Sequence, residues 1–294
     1  MVSTINELKE KQNEESNIKL LAAQRTLYNK ARFYQVIIFF IPILLPVILS
    51  IVKLYYNNNI IDFLLNVLNI CNIAVYMLIY NKIDELKEYA AIIQQQFDKN
   101  VYGIDIDINI NRLELVSIVE KNYKNIFNNK NKKQRLYDWY IFNENCNIKE
   151  HDIILFCQQT NVFWSEKLKE KYINILSYLT YILIIIIVII IYITASTEHN
   201  CTKIIFQNVL PLSEIFIFSY INYSNIKKEL KLLKHINTNI NNLLEKNKQD
   251  TDKSNHILKI QNDIFEYRKK SILIFNVFYN FFKTDFENTI KSYK

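Results

Sequence analysis

The side chains that most often catalyse reactions or bind metals are few and widely separated in this chain. Cys146, His151 and Cys157 offer three metal-ligand atoms, but a fourth ligand and the close CxxC spacing of structural zinc sites are missing. The histidines lie near no carboxylates at the spacing of a catalytic triad or a metal site. They are His151, His199, His235 and His256. We therefore expect no metal, no cofactor and no enzymatic activity.

Glycine-rich phosphate loops are excluded by composition. The chain has 294 residues and a single glycine, Gly103. The motifs GxGxxG and GxxxxGK[ST] need at least two glycines, so neither of these common nucleotide-binding loops can form.

Polar side chains embedded in apolar sequence are more informative. On a helix that turns about 100° per residue, six of them fall within an arc of about 120°. They are Asp62, Asn66, Asn69, Asn72, Tyr76 and Tyr80. A polar stripe on a membrane helix faces other helices or water, because lipid does not solvate it. Two interpretations stay open: hydrogen bonding between helices, or the lining of a pore or cavity, for which Asp62, Asn66, Asn69 and Asn72 are the candidates.

Glu214 is a second candidate for the pore or cavity lining. It lies in an apolar run, three residues after Pro211. An ionised carboxylate in hydrocarbon costs on the order of a few kcal/mol, so this one is expected to be protonated, paired or exposed to water. A structural pairing and a role in conduction or gating are the two alternatives.

Four apolar runs carry these residues, and they are arranged as two pairs. Each run has about 20 residues, which as a helix crosses a hydrocarbon core of about 30 Å. The runs are Tyr34 to Tyr55, Ile60 to Tyr80, Ile173 to Ala195 and Ile204 to Tyr223. Short connectors join the members of a pair, and a long hydrophilic segment separates the pairs. The pattern predicts two membrane hairpins.

Basic residues give the expected orientation. Lysine and arginine cluster outside the hairpins, whereas the two short connectors hold only Lys53 and Lys203. Since positive charge stays on the cytoplasmic side, both termini and the long middle segment are predicted to be cytoplasmic. The formal net charge of +7 agrees with this topology, and it also suits an anion-binding surface.

The hydrophilic segments show mainly helical periodicity. We expect one helix over residues 3 to 33, and a continuation of the second span as a stalk that ends near Asp98 to Gly103. Asn111 is the expected N-cap of a helix over Arg112 to Phe127. A further helix from about Lys149 should run into the third span. Ile104, Ile106, Ile108 and Ile110 alternate strictly, which indicates a strand or an extended loop.

The remaining segments complete the predicted body. Asn128 to Arg135 reads as a basic loop, and Gln249 to Asn255 as a polar turn. A heptad-like apolar stripe after the fourth span indicates a helix that packs on another helix. A helix over Ile257 to Lys270 precedes an apolar run of about 12 residues, which is too short to span a bilayer and is expected to be buried or interfacial.

The predicted fold class is an all-α integral membrane protein with four transmembrane helices in two hairpins and a mostly helical cytoplasmic domain. The hairpins cover residues 34–80 and 173–223. The cytoplasmic parts are an N-terminal helix, residues 1–33, a middle helical domain, residues 81–172, and a C-terminal helical region, residues 224–294.

Sequence motifs spread along the chain carry a family resemblance. They are LLAAQR at Leu20 to Arg25, FDKNVYGI at Phe97 to Ile104, DWY at Asp138 to Tyr140, CQQTNVFWSEKLKEKY at Cys157 to Tyr172 and IQNDIFEYRKK at Ile260 to Lys270. In their order and topology they resemble the SMODS-associating four-transmembrane effector family. Its members accompany nucleotidyltransferases that make nucleotide second messengers in bacterial CBASS anti-phage systems.

The resemblance implies an effector that responds to a cyclic oligonucleotide and then breaches the bacterial inner membrane, causing growth arrest or death. Phosphates would be bound by basic side chains and bases by aromatic ones. The candidate ligand-binding residues are Gln24, Arg25, Trp139, Tyr140, Gln158, Asn161, Trp164 and Arg268. Packing in a helical core is the alternative role for the aromatic residues, and an ion pair between Asp138 and Arg268 is the alternative for that arginine.

The leading interpretation is therefore a pore-forming effector whose partners are the bilayer, a cyclic oligonucleotide and further copies of itself. No DNA partner is expected. A bundle of four helices is filled by side chains, so a water-filled pore requires several subunits. The alternatives are a non-conducting membrane receptor or scaffold, and a small constitutive channel or transporter.

Overall fold

The structure is a computed structural model that describes residues 1–2, 4–38, 59–142, 150–197, 210–245 and 250–275, with a few single positions between these ranges. Within these residues every regular element is a helix and there is no β-strand. The helices are α1 (Ile5–Asn13), α2 (Glu15–Ile38), α3 (Asn59–Tyr102), α4 (Arg112–Asn122), α5 (Lys124–Phe127), α6 (Lys130–Gln134), α7 (Glu150–Thr197), α8 (Leu210–Glu245) and α9 (Asp250–Lys270).

Three long helices dominate the described residues. α3 has 44 residues, α7 has 48 and α8 has 36. Neither α3 nor α7 contains glycine or proline, and Pro211 of α8 lies in the first turn, where the missing N–H breaks no intrahelical bond. The predicted helix continuity is confirmed: the helix that carries the second apolar run continues without a break to Tyr102, and the helix predicted from about Lys149 runs through the third apolar run.

Chain contacts divide the protein into two compact units. The first unit comprises Met1–Ala31, Asp84–Leu168 and Glu229–Lys294, and the second comprises Arg32–Ile83 and Lys169–Lys228. The boundaries fall within α2, α3, α7 and α8, so each of these helices contributes residues to both units.

The first unit has a buried apolar core. Its buried side chains come from α1, α2, α3, α7, α8 and α9, and they include Leu8, Leu21, Ile93, Phe97, Ile154, Ile236 and Ile264. These residues recur at helical spacing on each element, as burial of one helix face requires.

The second unit differs because its large apolar side chains are exposed. Among them are Phe63, Leu78, Ile182, Ile185, Val188 and Phe216. Exposure of so many large apolar side chains is rare on proteins that face water and matches a hydrocarbon environment. Among the described residues one helix, Asp152–Ile193, is long and apolar enough to cross a bilayer. The prediction of four spans stays a prediction.

The N-terminal segment forms two helices where the sequence predicts one. Glu14 adopts an extended backbone, with φ −57° and ψ 141°, between α1 and α2. The Asn17 side chain donates to the Lys11 carbonyl at 2.7 Å, which takes the place of a helical N–H at the end of α1. The Thr4 hydroxyl caps the start of α1 by accepting from the Glu7 N–H at 3.2 Å.

The segment after α3 departs from the prediction at one place. Asn111 caps α4 as predicted, since its side chain accepts from the Leu113 N–H at 2.9 Å. The predicted helix to Phe127, however, is interrupted at Tyr123, which separates α4 from α5. Residues 104–111 form an extended loop with no strand pairing, which decides between the two interpretations of their alternation.

Two predicted loops contain helix. The basic segment 128–135 includes the short helix α6, whose N-cap Asn129 accepts from the Lys132 N–H at 3.1 Å. The predicted polar turn near residue 250 is helical from Asp250, where α9 begins. After α9, residues 271–275 are not helical, and Leu273 and Ile274 among them are buried. The rest of that apolar run lies almost entirely outside the described residues.

Candidate functional site

A cluster of buried and half-buried polar side chains lies in the first unit, and we call it the Asp98 cluster. It comprises Asp98 and Tyr102 of α3, Tyr140 of the segment after α6, Asn161 of α7, and Gln261 and Arg268 of α9. Four parts of the chain that are distant in sequence are therefore joined in one hydrogen-bond network. Tyr140, Gln261 and Arg268 bind the Asp98 carboxylate directly, whereas Tyr102 and Asn161 bind Tyr140.

Asp98 is fully buried and accepts three hydrogen bonds. Its Oδ2 accepts from Arg268 Nη1 at 2.5 Å and from Gln261 Nε2 at 2.9 Å, and its Oδ1 accepts from the Tyr140 hydroxyl at 3.1 Å. A buried charge is tolerated when it is paired and hydrogen-bonded, and the Arg268 guanidinium supplies the opposite charge. The ion pair is thus the electrostatic centre of the cluster.

Protein groups occupy every hydrogen-bonding position of the Tyr140 hydroxyl. Because its hydroxyl donates to Asp98, it accepts from Asn161 Nδ2 at 2.9 Å and from the Tyr102 hydroxyl at 2.6 Å, which fills both lone pairs. Its backbone is held by Gln12 of α1, which accepts from the Tyr140 N–H at 2.8 Å and donates to the Tyr140 carbonyl at 3.2 Å.

The environment of the two tyrosines favours their neutral forms. Burial raises the pKa of Tyr102 well above its usual value, and the neighbouring Tyr140 and Asp98 raise it further. Burial likewise raises the pKa of Tyr140, followed in importance by the Asp98 charge. Both hydroxyls therefore stay protonated at neutral pH and act as donors in the chain that leads to Asp98.

Glutamine side chains extend the cluster through the interior of the unit. Gln261 Nε2 also donates to Gln95 Oε1 at 2.9 Å, and Gln158 Nε2 donates to Gln261 Oε1 at 3.0 Å and to the Ile257 carbonyl at 3.1 Å. Three buried atoms in this network have no hydrogen-bond partner among the described residues. They are Arg268 Nη2, Gln95 Nε2 and Gln158 Oε1.

The predicted ligand-binding residues are only partly brought together. Tyr140, Asn161 and Arg268 belong to the Asp98 cluster, and Gln158 joins it through Gln261. The hydrogen bonds of Tyr140 favour the packing alternative for that residue. The ligand-binding role of this set stays a prediction.

The other predicted ligand-binding residues lie elsewhere in the first unit. Trp139 is half-buried and meets the Phe97 ring edge-on, with centroids 6.4 Å apart. Gln24 is buried on α2, with its Oε1 lacking a partner among the described residues. Arg25 on α2 and Trp164 on α7 are both half-buried.

The proposed alternative pairing of Arg268 with Asp138 is wrong. Asp138 instead exchanges two hydrogen bonds with Asn13: its Oδ1 accepts from Asn13 Nδ2 at 2.9 Å, and its N–H donates to Asn13 Oδ1 at 3.0 Å. Arg268 lies beside Asp98, where it neutralises a carboxylate that is buried, whereas Asp138 is exposed to water and needs no such partner.

Sequence reasoning missed Asp98, Tyr102, Gln95 and Gln261 as members of a site. The signal was present on α3, since Gln95, Asp98 and Tyr102 follow one another at spacings of three and four residues, which places them on the same helix face. A polar stripe on a stalk flanked by buried apolar positions indicates a buried network.

The predicted pore-lining residues lie on α3 and α8. Asp62, Asn66, Asn69 and Asn72 are positions of α3, and Glu214 is a position of α8. Their side chains lie outside the described part of the structure, so the choice between interhelical bonding and pore lining stays open.

An open cavity of about 730 Å³ is the second feature of the first unit. Its walls come from α2, the end of α3, the loop 104–111 and α4. Charged and polar lining residues are Ser16, Lys19, Gln96, Lys99, Asn100, Asp107, Arg112 and Glu120. Apolar lining residues are Leu20, Ile106, Ile108, Ile110, Leu115, Val116 and Val119. The cavity thus offers both charge and an apolar floor to a ligand.

Metal binding finds no support in the described part of the chain. No group of three or more histidine, cysteine, aspartate or glutamate side chains is placed there to hold a metal ion. Cys157 is a buried thiol on α7, while Cys146 and the His151 side chain lie outside the described part of the structure.

These features define a helical protein with a buried ion-pair network in one unit, an exposed apolar surface in the other, and a helix long enough to cross a bilayer. A family model described as the SMODS-associating 4TM effector domain matches residues 6–293. The chain belongs to this family, which confirms the resemblance found in the sequence motifs. The family description assigns its members an effector role and membrane helices.

One curated relative gives the same classification. The chain is 24% identical over 273 residues to a probable CBASS effector molecule of Bacillus cereus strain VD146, with 90% of this chain and 89% of the relative covered. No solved structure matches the chain significantly.

Proposed function

We propose that this protein is a membrane-disrupting effector of bacterial anti-phage defence that is activated by a cyclic oligonucleotide. The observation that carries the proposal is the effector-domain family match over residues 6–293. The relative named as a probable CBASS effector, aligned over most of both chains, supports the same role.

The continuity of α3 supports a route from signal to membrane. This one helix carries the predicted pore-lining positions Asp62 to Asn72 near its start and the buried Asp98 near its end. A rearrangement around Asp98 would move a helix that also contributes to the second unit. Two discrete arrangements of such packed helices are a general means of coupling distant sites.

A pore requires assembly. Four helices pack into a filled bundle, so a conducting path would form between several copies of the chain, most simply in a closed symmetric oligomer. We place this oligomer in the bacterial inner membrane with both termini in the cytoplasm, as the distribution of lysine and arginine indicates.

Two other functions compete with this one. A non-conducting receptor or scaffold would use the exposed apolar helices only for anchoring, and a constitutive channel or transporter would conduct without a nucleotide. We propose no catalytic activity, since the buried side chains of the Asp98 cluster bind one another and leave no activated nucleophile.

Dye release from liposomes distinguishes the three functions. The full-length protein is reconstituted into vesicles loaded with a self-quenching dye, and cyclic di-AMP, cyclic GMP–AMP or cyclic tri-AMP is added. Release that depends on a nucleotide supports the effector. Release without nucleotide supports a channel, and absence of release with all three nucleotides supports a scaffold and contradicts the proposal.

A further inference from the structure

We infer that the cavity between α2, the end of α3, the loop 104–111 and α4 binds the phosphates of the activating cyclic oligonucleotide through Lys99 and Arg112. The inference rests on the proposed function and gives it a site. It places the ligand away from the Asp98 cluster, at two cations that are not among the ligand-binding residues predicted from the sequence.

The size and surface of the cavity suit such a ligand. Its volume of about 730 Å³ lies within the range of about 300–1,000 Å³ typical of small-molecule sites. Leu20, Leu115 and Val119 provide an apolar surface for the faces of bases, and Asp107 and Glu120 can accept hydrogen bonds from ribose hydroxyls and base amino groups.

Arg112 is the cation most available to a phosphate. It is the first residue of α4, its side chain is exposed, and it makes no ion pair with any described residue. A guanidinium binds phosphate with two parallel hydrogen bonds, which gives both affinity and orientation. Lys19 also lines the cavity, where it pairs with Glu15 at 3.0 Å.

Lys99 would couple phosphate binding to the position of the loop 104–111. Its Nζ donates to Asp105 Oδ1 at 2.8 Å and to the Ile106 carbonyl at 2.9 Å, and it lies one residue beyond Asp98 on α3. Asp105 is almost fully exposed, so its bond to Lys99 is screened by water and weak. A phosphate oxygen can replace the Asp105 carboxylate at Lys99 and thereby change how the loop is held to α3.

The alternation of isoleucines in this loop then has a physical explanation. Ile104 and Ile106 are buried and Ile108 and Ile110 are half-buried, while the residues between them are exposed. In the absence of a partner strand, the alternation turns the apolar side chains of Ile106, Ile108 and Ile110 toward the cavity. The pattern therefore builds a ligand-facing wall.

The Asp98 cluster is a poorer binding site for the same ligand. The Tyr140 hydroxyl has no free hydrogen-bonding position, and the positive charge of Arg268 is neutralised by Asp98. A phosphate entering there would meet a buried carboxylate in a medium of low dielectric constant, which is repulsive.

The test measures nucleotide binding by the full-length protein in detergent micelles, with cyclic di-AMP, cyclic GMP–AMP and cyclic tri-AMP as probes. Arg112→Gln and Lys99→Gln should each weaken the binding of the active probe at least about tenfold, as loss of a charged hydrogen bond does. Lys130→Gln, an exposed lysine on α6 that does not line the cavity, should leave the affinity unchanged.

A second pair of variants on α4 shows whether a loss of binding arises from the cavity or from a general folding defect. Val116 and Leu113 are both exposed apolar residues, but only Val116 lines the cavity. Val116→Glu should weaken binding by like-charge repulsion, whereas Leu113→Glu should not. Equal affinity in the Val116→Glu and Leu113→Glu variants would contradict the site.

The results of these experiments distinguish failure of the proposed binding site from failure of the proposed function. If the wild type releases dye on nucleotide addition and the Arg112, Lys99 and Val116 variants do so equally well, the site is wrong and the proposed function stands. If the wild type neither binds nor responds to any probe, both are overturned. If phosphatidylglycerol in the micelles displaces the probe, with the same dependence on Arg112, the cavity binds a lipid headgroup and the assignment of a nucleotide ligand is wrong.

Discussion

Arg268 and Asp98 are 170 positions apart in the sequence, yet the Arg268 guanidinium donates to the Asp98 carboxylate at 2.5 Å in the buried interior of the first unit. This contact joins α9 to the end of α3. Water is excluded from both groups, so each charge depends on the other far more than in an exposed pair.

Arg268→Gln should destabilise the protein by about 3–5 kcal/mol, because it leaves the Asp98 carboxylate buried without its counter-charge. The apparent unfolding temperature of the purified protein in detergent measures the effect. Lys270→Gln is the matched control, since Lys270 is largely exposed and its pair with Glu266, one turn away, contributes little. The double variant Asp98→Asn/Arg268→Gln should recover part of the loss, and equal stability of the Arg268 and Lys270 variants would disprove the structural role.

Tyr140→Phe should cost about 1–3 kcal/mol, because it removes a donor to the buried Asp98 and an acceptor for the buried Tyr102 and the half-buried Asn161. Thermal unfolding again provides the measurement. Tyr137→Phe changes the same atom on an exposed ring and should have little effect. A comparable loss in the two variants would show that the hydroxyl of Tyr140 has no special contribution.

Gly103→Ala should destabilise the end of α3 by about 1–2 kcal/mol, the cost of a left-handed backbone for a residue with a side chain. Gly103 has φ +62°, and its N–H donates to the Lys99 carbonyl at 3.0 Å, which terminates the helix. The new Cβ would lie 3.5 Å from the Val2 backbone nitrogen, an ordinary van der Waals contact, so the cost comes from the backbone conformation. Hydrogen exchange of the amides around Tyr102 and Val2 should accelerate in this variant, and unchanged exchange would contradict the prediction.

Stability should fall as the pH rises above about 10. Burial raises the pKa of Tyr102 and Tyr140 in the folded protein, whereas in the unfolded chain both ionise near pH 10. Above that pH the unfolded state binds fewer protons than the folded state, so the free energy of unfolding decreases with pH. Unfolding midpoints of the wild type and of Tyr102→Phe between pH 8 and pH 11 test this, and the variant should show the smaller decrease relative to its value at pH 8.

Glu214→Gln should reduce nucleotide-dependent dye release if the carboxylate takes part in conduction or gating, because it removes a charge from a predicted membrane span. Glu245→Gln, an exposed position at the other end of the same helix, is the control. Unchanged leakage and unchanged toxicity in cells carrying Glu214→Gln would remove this residue from the conduction path.

Much of the helical architecture could be predicted because its causes are local. Long stretches without glycine or proline and with apolar residues at helical spacing predicted α3 and α7 through their full length. Asn111 predicted the start of α4, since a side chain that accepts from an N–H two residues ahead needs no distant partner. The break at Glu14 could not be predicted, because it depends on the Asn17 side chain finding the Lys11 carbonyl.

The candidate site was predictable only in part. Tyr140, Asn161 and Arg268 were selected by residue type. Asp98, which binds Tyr140 and Arg268 directly and Asn161 only through Tyr140, was not selected, because nothing in a single sequence shows which helix faces meet. The cavity was missed for the same reason, since Lys99 and Arg112 are ordinary surface cations until α2, the loop and α4 surround them.

The sequence by itself determined the apolar runs, the distribution of basic residues and the family, all of which depend on composition and on order along the chain. Only the tertiary structure decided that Arg268 pairs with Asp98 and that the isoleucines of the loop 104–111 line a cavity. The physical reason is that a helical period tells which side of each element is buried, whereas the identity of a partner depends on packing between segments far apart in the chain.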